Sequence, residues 1–183
     1  MNSAIFLDRD GVIIENRPDY VRSWSDVSIY NQALKAIAIL TSLPYKIILV
    51  TNQSAVGRGI ISISNVNQIN SALLQVITKN HGRMDDVFIC PHKPDDACTC
   101  RKPAPGLILD AAARHSIDLS SSFMIGDAIS DLMAAQSAGI PRKFLVRTGR
   151  GKDQEHLPAI HLIKEYTIVE DLLEAANIIA SEF

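Results

Sequence analysis

Two short acidic stretches hold the residues of this chain best suited to chemistry: DRDG at 8–11 and GDAISD at 126–131. The first follows the apolar run AIFL (4–7). Residues leaving a strand in extended conformation point alternately to its two sides, so Asp8 and Asp10 face one site and Arg9 turns away. Such a pair can divide a phosphoryl transfer into two displacements. One carboxylate attacks phosphorus to form an aspartyl-phosphate; the other protonates the leaving alcohol and then activates water. Gly11 lets the chain turn sharply beneath them. Read alone, DRDG fits a solvated strand-to-loop turn equally well. Acids gathered around a phosphate need a cation, and oxygen-only donors with an open shell suit Mg²⁺. The expected ligands are Asp8, the main-chain carbonyl of Asp10, and Asp127. Asp131, one helical turn past Asp127, is placed to support them from behind. A helix-capping acid accounts for Asp127 alone but not for the whole set.

The polar residues after other apolar runs extend the site. Thr51, Asn52, Gln53 and Ser54 follow KIILV (46–50) and offer a hydroxyl, amides and turn N–H groups to phosphate oxygens. Lys102 supplies a fixed positive charge beside a transferring phosphoryl group. Each of these residues alone also fits a turn, a cap or a solvated surface. The loops IIENRPDYV and SAVGRG would set substrate choice, with Arg58 and Arg101 as cations for a second phosphate.

All three cysteines lie within CPHKPDDACTC (90–100). Cys90, His92, Cys98 and Cys100 supply three thiolates and an imidazole, a donor set for tetrahedral structural zinc. Three cysteines cannot all pair within one chain, which argues against a disulfide framework. The alternative is a buried strand-end thiol and two incidental ones. Four protein ligands leave no open position for water, so zinc here would order a loop poor in core residues and perform no chemistry.

These residues must be held by a scaffold. The chain has 183 residues, 47% hydrophobic and 21% charged, enough for one compact unit, and the 1–183 span reads as a single domain with the zinc loop 90–100 inserted after the third strand. Six short apolar runs alternate with stretches of helical periodicity. The runs are AIFL, KIILV, DVFIC (86–90), SFMIG (122–126), KFLV (143–146) and TIV (167–169). This βαβ rhythm predicts a three-layer α/β fold with a mainly parallel sheet and no large cap domain. Ligands of such folds bind at the carboxyl ends of the strands, where the clusters fall. The net charge of −2, without a basic run, disfavours nucleic acid as a partner. The N-terminal run has neither the basic start of a signal peptide nor the length of a membrane span, so a cytoplasmic location is expected, and with no exposed heptad or long apolar edge strand evident the expected state is a monomer. His81, His115, His156 and His161 read as solvated, Trp24 as packed at the rim, and RTGRG (147–151) as a flexible rim.

The order DxDG, strand-terminal Thr, Lys, GDxxxD resembles the motif pattern of the haloacid dehalogenase superfamily. FLDRDGV, TNQS, CPH, CTCRKPAPG and MIGD are similar to the bacterial heptose bisphosphate phosphatases within it, and to their histidinol-phosphate phosphatase relatives. The resemblance implies a Rossmann-like phosphatase fold with Asp8 as nucleophile, Asp10 as general acid/base, catalytic Mg²⁺ shared with Asp127, and the four-ligand zinc loop. It also implies a small phosphorylated metabolite as substrate. The first expectation is the C7 phosphate of a heptose 1,7-bisphosphate, the second histidinol phosphate. A nucleic-acid 3′-phosphatase and a non-catalytic zinc-containing binding module are further alternatives. Two positions depart from the pattern: Ala55 stands where glycine is frequent, and Ala128 where some heptose enzymes carry lysine.

Overall fold

The computed structural model describes residues 2–182. Six strands form one sheet: β1 Ser3–Leu7, β2 Tyr45–Asn52, β3 Asp86–Cys90, β4 Phe123–Gly126, β5 Arg142–Val146 and β6 Tyr166–Val169. Their spatial order is β3-β2-β1-β4-β5-β6, and every pairing is parallel. The expected runs match the strands to within one or two residues at most ends.

Helices cover both faces, and the strand sequence shows why. In β1, Ile5 and Leu7 point into one core, while Ala4 and Phe6 point into the other. The first core is closed by α1 (Asn31–Thr41), α3 (Ile63–Lys79) and α7 (Leu172–Ala180), through Ile37, Leu40, Val66, Leu73 and Ile179. The second is closed by α4 (Gly106–His115) and α5 (Ile129–Ala138), through Leu107, Ile108, Ala134 and Ala135. A strand buried on both sides must be apolar at every position, which is how these runs read. The ends of the helices are specified locally: Ser62 accepts from Asn65 N, and Asp171 accepts from the amides of Leu173 and Glu174.

The chain order reverses between β1 and β4, so the crevice of this sheet opens where those two strands end side by side. Leu7 pairs with both Leu49 and Ile125, and Asp8 N donates to Ile125 O at 3.0 Å. The acids after β1 and β4 are thereby brought level with each other and with the end of β2. Two short helices were not foreseen, α2 (Ser54–Gly57) and α6 (Gly151–Gln154). Each is a single turn, too short for apolar periodicity to reveal. Among the described residues no helix is long and apolar enough to cross a membrane.

Candidate active site

A cavity of about 570 Å³ opens at the switch point, walled by Asp8, Arg9, Asp10, Asn16, Arg17, Asn52, Gln53, Ser54, Arg101, Lys102, Asp131 and Arg150 among others. At its floor Lys102 reaches in from the loop after β3. Its Nζ donates to Asp8 Oδ1 at 2.7 Å and to Val50 O at 2.8 Å, and lies 2.6 Å from Asp131 Oδ1. All three side chains are buried. Burial alone would release the lysine proton, but Asp131 and Asp8 outweigh it and hold the lysine pKa above its ordinary value. Asp131 also accepts from Ala128 N at 3.1 Å, so one carboxylate caps α5 and braces Lys102.

Asp8 sits in an acid-rich, dry place. Burial pushes its pKa up to about 7, with Asp131, Asp127 and Asp10 adding to the rise and Lys102 opposing it. Carboxylate oxygens of Asp8, Asp127 and Asp131 lie within 4.8 Å of one another. Hard oxygen donors at that separation, with too few positive charges to satisfy them, fit Mg²⁺.

Asp127 is fully buried, and its contacts were not foreseen. Arg150 holds it with a guanidinium fork, Nη2 to Oδ1 at 3.1 Å and Nε to Oδ2 at 3.3 Å, and with its own amide at 2.9 Å. Asn16 Nδ2 adds a bond to Oδ2 at 2.6 Å. Burial still moves the Asp127 pKa upward, against the Arg150 bonds. The 147–151 loop is therefore no loose rim: Thr148 Oγ1 donates to Gly11 O at 2.6 Å, and Gly149 lies against Asp127 and Gly11. Gly11 and Gly149 have φ of +86° and +60°, and a Cβ at either would collide with the Asp127 carboxylate. The residue after Asp127 is the uncharged Ala128, and the cation on this carboxylate comes from position 150.

Asp10 faces the cavity, but Arg9 does not swing away from it. The guanidinium is buried and grips Asp10, Nε to Oδ2 and Nη2 to Oδ1, both at 3.1 Å. The residues after β2 divide their tasks. Gln53 is turned inward, donating to Asp10 Oδ2 and Thr51 Oγ1, both at 2.9 Å. Thr51 is fully buried. Asn52 clasps the main chain of Lys102, Nδ2 to its carbonyl at 3.0 Å and its amide to Oδ1 at 3.1 Å. Ser54 reaches the wall, as does Arg101, which donates to His92 O at 3.2 Å. Arg58 is exposed and stands outside the cavity lining, which includes Arg17 and Arg150 instead.

The four candidate zinc ligands converge. Cys90 Sγ lies 3.6 Å from His92 Nδ1, 3.2 Å from Cys100 Sγ and 3.7 Å from Cys98 Sγ; Cys100 lies 3.3 Å from His92 Nδ1. Zinc bonds of about 2.0–2.3 Å require tetrahedral edges of roughly 3.4–3.8 Å, so the cluster needs little adjustment to hold the ion. The three thiols form no disulfide. Their environments differ: burial, with both other thiols, pushes Cys100 up to about 12, whereas at Cys98 burial is outweighed by the combined bonds from Cys100, the Arg101 amide and Cys90, which draw the thiol down to about 7. Gly57 N donates to Pro91 O at 2.8 Å, tying the loop to α2. Elsewhere, His115 is not simply solvated: its Nε2 lies 2.8 Å from Asp86. Trp24 remains 40% exposed.

A family model described as "HAD-hyrolase-like" matches residues 99–175. Together with the parallel sheet and the acids at its switch point, this defines a hydrolase of the haloacid dehalogenase type. The D-glycero-beta-D-manno-heptose-1,7-bisphosphate 7-phosphatase of Bordetella bronchiseptica is 39% identical over 148 residues, covering 81% of this chain and 82% of that one. The chain belongs to this phosphatase family, and it is a phosphatase. A D-glycero-alpha-D-manno-heptose-1,7-bisphosphate 7-phosphatase of Photorhabdus laumondii is 37% identical over 151 residues, covering 79% and 82% of the two chains. The crystal structure of the B. bronchiseptica D,D-heptose 1,7-bisphosphate phosphatase, complexed with magnesium and phosphate, superposes with a TM-score of 0.91 at 35% identity over 99% of both chains.

Proposed function

We propose that this phosphatase removes the C7 phosphate of D-glycero-D-manno-heptose 1,7-bisphosphate, with Mg²⁺ bound, through an aspartyl-phosphate on Asp8. One observation carries the reading: the cavity with Asp8 and Lys102 buried at its floor is also lined by Asp10 and by three further cations, Arg17, Arg101 and Arg150. The floor suits one phosphoryl group. The arginines suit a second anionic group on the same small molecule.

Asp8, the main-chain carbonyl of Asp10, and Asp127 would hold the magnesium, with Asp131 behind them. When bound, the ion neutralises phosphoryl oxygens that these acids would otherwise repel. A carboxylate oxygen of Asp8 attacks phosphorus, and the bond to the sugar oxygen breaks. Asp10, facing the cavity, gives its proton to that oxygen as it leaves. Asp10, now a carboxylate, takes a proton from water while the water oxygen attacks phosphorus. The Asp8–phosphorus bond breaks, and inorganic phosphate departs. Lys102 offsets charge on the transferring group and keeps Asp8 and Asp131 from repelling each other. Cys90, His92, Cys98 and Cys100 would hold a structural zinc. Its effect is mechanical, fixing the loop whose exit carries Arg101 and Lys102 into the cavity.

Histidinol phosphate is the weaker candidate on electrostatic grounds. It carries an ammonium group beside its phosphate and an imidazole at its far end, so it offers the arginines no second anion. Steady-state kinetics on both compounds test the assignment. The expected kcat/KM for the bisphosphate is higher by about 100-fold or more, from the contacts to a second phosphate, and phosphorus NMR should show the C1 phosphate retained. Equal or better turnover of histidinol phosphate sinks it. Asp8→Asn should abolish turnover.

A further inference from the structure

We infer that Arg9 is the positioning residue for Asp10, and that Asn70 on α3 in turn positions Arg9. The inference rests on Asp10 acting as the acid and base of the proposed reaction.

An arginine between two site acids would ordinarily point to the opposite side of the strand. Here the chain turns at once: Ile13 N and Ile14 N both donate to Arg9 O, at 2.9 and 3.1 Å, and Gly11 takes a left-handed φ. The turn folds the guanidinium back onto its neighbour. Arg9 is 1% exposed and heads the largest fully buried side chains of the protein. A core needs no cation there; an apolar side chain of similar length would fill the space without removing a charge from water. What the guanidinium adds is geometry. Its two parallel donors span both oxygens of Asp10, a planar match that a lysine cannot reproduce.

The third donor explains Asn70. Arg9 Nη1 donates to Asn70 Oδ1 at 2.9 Å. Asn70 is 4% exposed inside α3, and its Nδ2 has no hydrogen-bond partner. A buried amide with its donor stranded is unfavourable, and α3 would be better served by an apolar residue at that position. Its acceptor is used by Arg9. Gln53 completes the cradle by donating to Asp10 Oδ2 from the other side. Asp10 thus has both oxygens fixed while remaining at the cavity wall. Arg9 itself touches no reacting atom in this scheme.

The test separates proton delivery from everything else at the site. An alkyl phosphate needs its leaving oxygen protonated; p-nitrophenyl phosphate, with a stable phenolate leaving group, does not. Single-turnover phosphorylation of the enzyme is measured by rapid quench for both. Arg9→Lys should slow phosphorylation by the alkyl substrate about 100-fold, the usual consequence of misplacing a catalytic group by an ångström. It should change phosphorylation by p-nitrophenyl phosphate less than about 3-fold and leave Mg²⁺ affinity unchanged. Asn70→Ala retains the Arg9 guanidinium but removes its anchor and should produce the same selective loss on a smaller scale, so the inference stands or falls even if Arg9→Lys folds poorly. Equal slowing on both substrates, or none, overturns it. A wild-type enzyme that forms no phospho-enzyme refutes the Asp8 route instead, so the two failures are distinct.

Discussion

Magnesium binding should release a proton from Asp8, in an amount set by pH. The perturbation is titration of Mg²⁺ into metal-free protein between pH 6 and pH 8. Burial, reinforced by Asp131, Asp127 and Asp10 and opposed by Lys102, holds Asp8 near a pKa of about 7 without the ion. A divalent cation among these carboxylates favours the ionised form and drives that value far down. The bound state then has no proton on Asp8, and the free state has about 0.9 at pH 6, about 0.5 at pH 7 and about 0.1 at pH 8. Calorimetry in two buffers of equal pH but different ionisation enthalpy reads these numbers from the slope of the observed heat. Apparent Mg²⁺ affinity should climb close to tenfold per pH unit below 7 and flatten above it. A proton count that stays constant from pH 6 to pH 8, or that is zero at pH 6, refutes the reasoning.

The same shift fixes the pH dependence of the metal-free fold. The folded-state pKa of Asp8 is raised above its ordinary value of 3.8, so the folded state holds its proton more tightly than the unfolded chain does. That contribution is fully present below about pH 4 and is lost as pH rises through 7. Its ceiling is about 4 kcal/mol. Thermal unfolding in chelator should therefore show a Tm contribution that falls across this window, and saturating Mg²⁺ should remove the decline.

Three further outcomes follow from the same geometry. Lys102→Met leaves Asp8 and Asp131 facing each other without their shared cation; it should cost the metal-free protein about 3–5 kcal/mol in denaturant unfolding and reduce turnover more than about 100-fold. Cys98→Ser should lower zinc content, measured by atomic emission, from about one ion per chain toward zero, and raise KM more than it lowers kcat; full zinc and unchanged KM would break the link between the loop and Lys102. Arg150→Gln removes a cation that competes for Asp127, so Mg²⁺ should bind several-fold more tightly, on the scale of about 1 kcal/mol for a half-exposed ion pair, while KM for a sugar bisphosphate rises and KM for a monophosphate does not.

The strands and the acids were legible because each depends on local pattern. A strand covered on both faces must be continuously apolar, and Ile5 to Leu7 or Ile47 to Val50 carry that requirement in their composition. Asp8, Thr51 and Asp127 each stand at or within a residue of the end of such a run, and the parallel topology alone brings those ends together. The convergence of Cys90, His92, Cys98 and Cys100 was legible for a different reason: four potential metal donors within eleven residues have few other uses. Arg150 was not legible. Its partner Asp127 lies 23 residues away, and the contact depends on Gly149 approaching the carboxylate closely, which no periodicity encodes. Arg9 was misread for the converse reason, since strand alternation was extended one residue too far, past the point where the chain turns. Arg58 was overvalued because a cation close in sequence to a site need not be close in space.

The cations, more than the acids, explain how four carboxylates in one site can hold different tasks. Lys102 binds Asp8 and Asp131, Arg9 binds Asp10, and Arg150 binds Asp127. Each of these acids is held by a cation already engaged with it, and a divalent ion would add positive charge for an incoming phosphate dianion. The distribution also separates the two neighbours of DRDG. The Asp8 side chain is 6% exposed, against a lysine that also holds Asp131; that of Asp10 is 22% exposed, with both oxygens steadied from the side away from solvent. A group that must attack phosphorus gains from a dry environment, and one that must exchange protons with an alcohol and with water gains from an open one. Two residues of identical chemistry, two positions apart, are made different by the cations that face them.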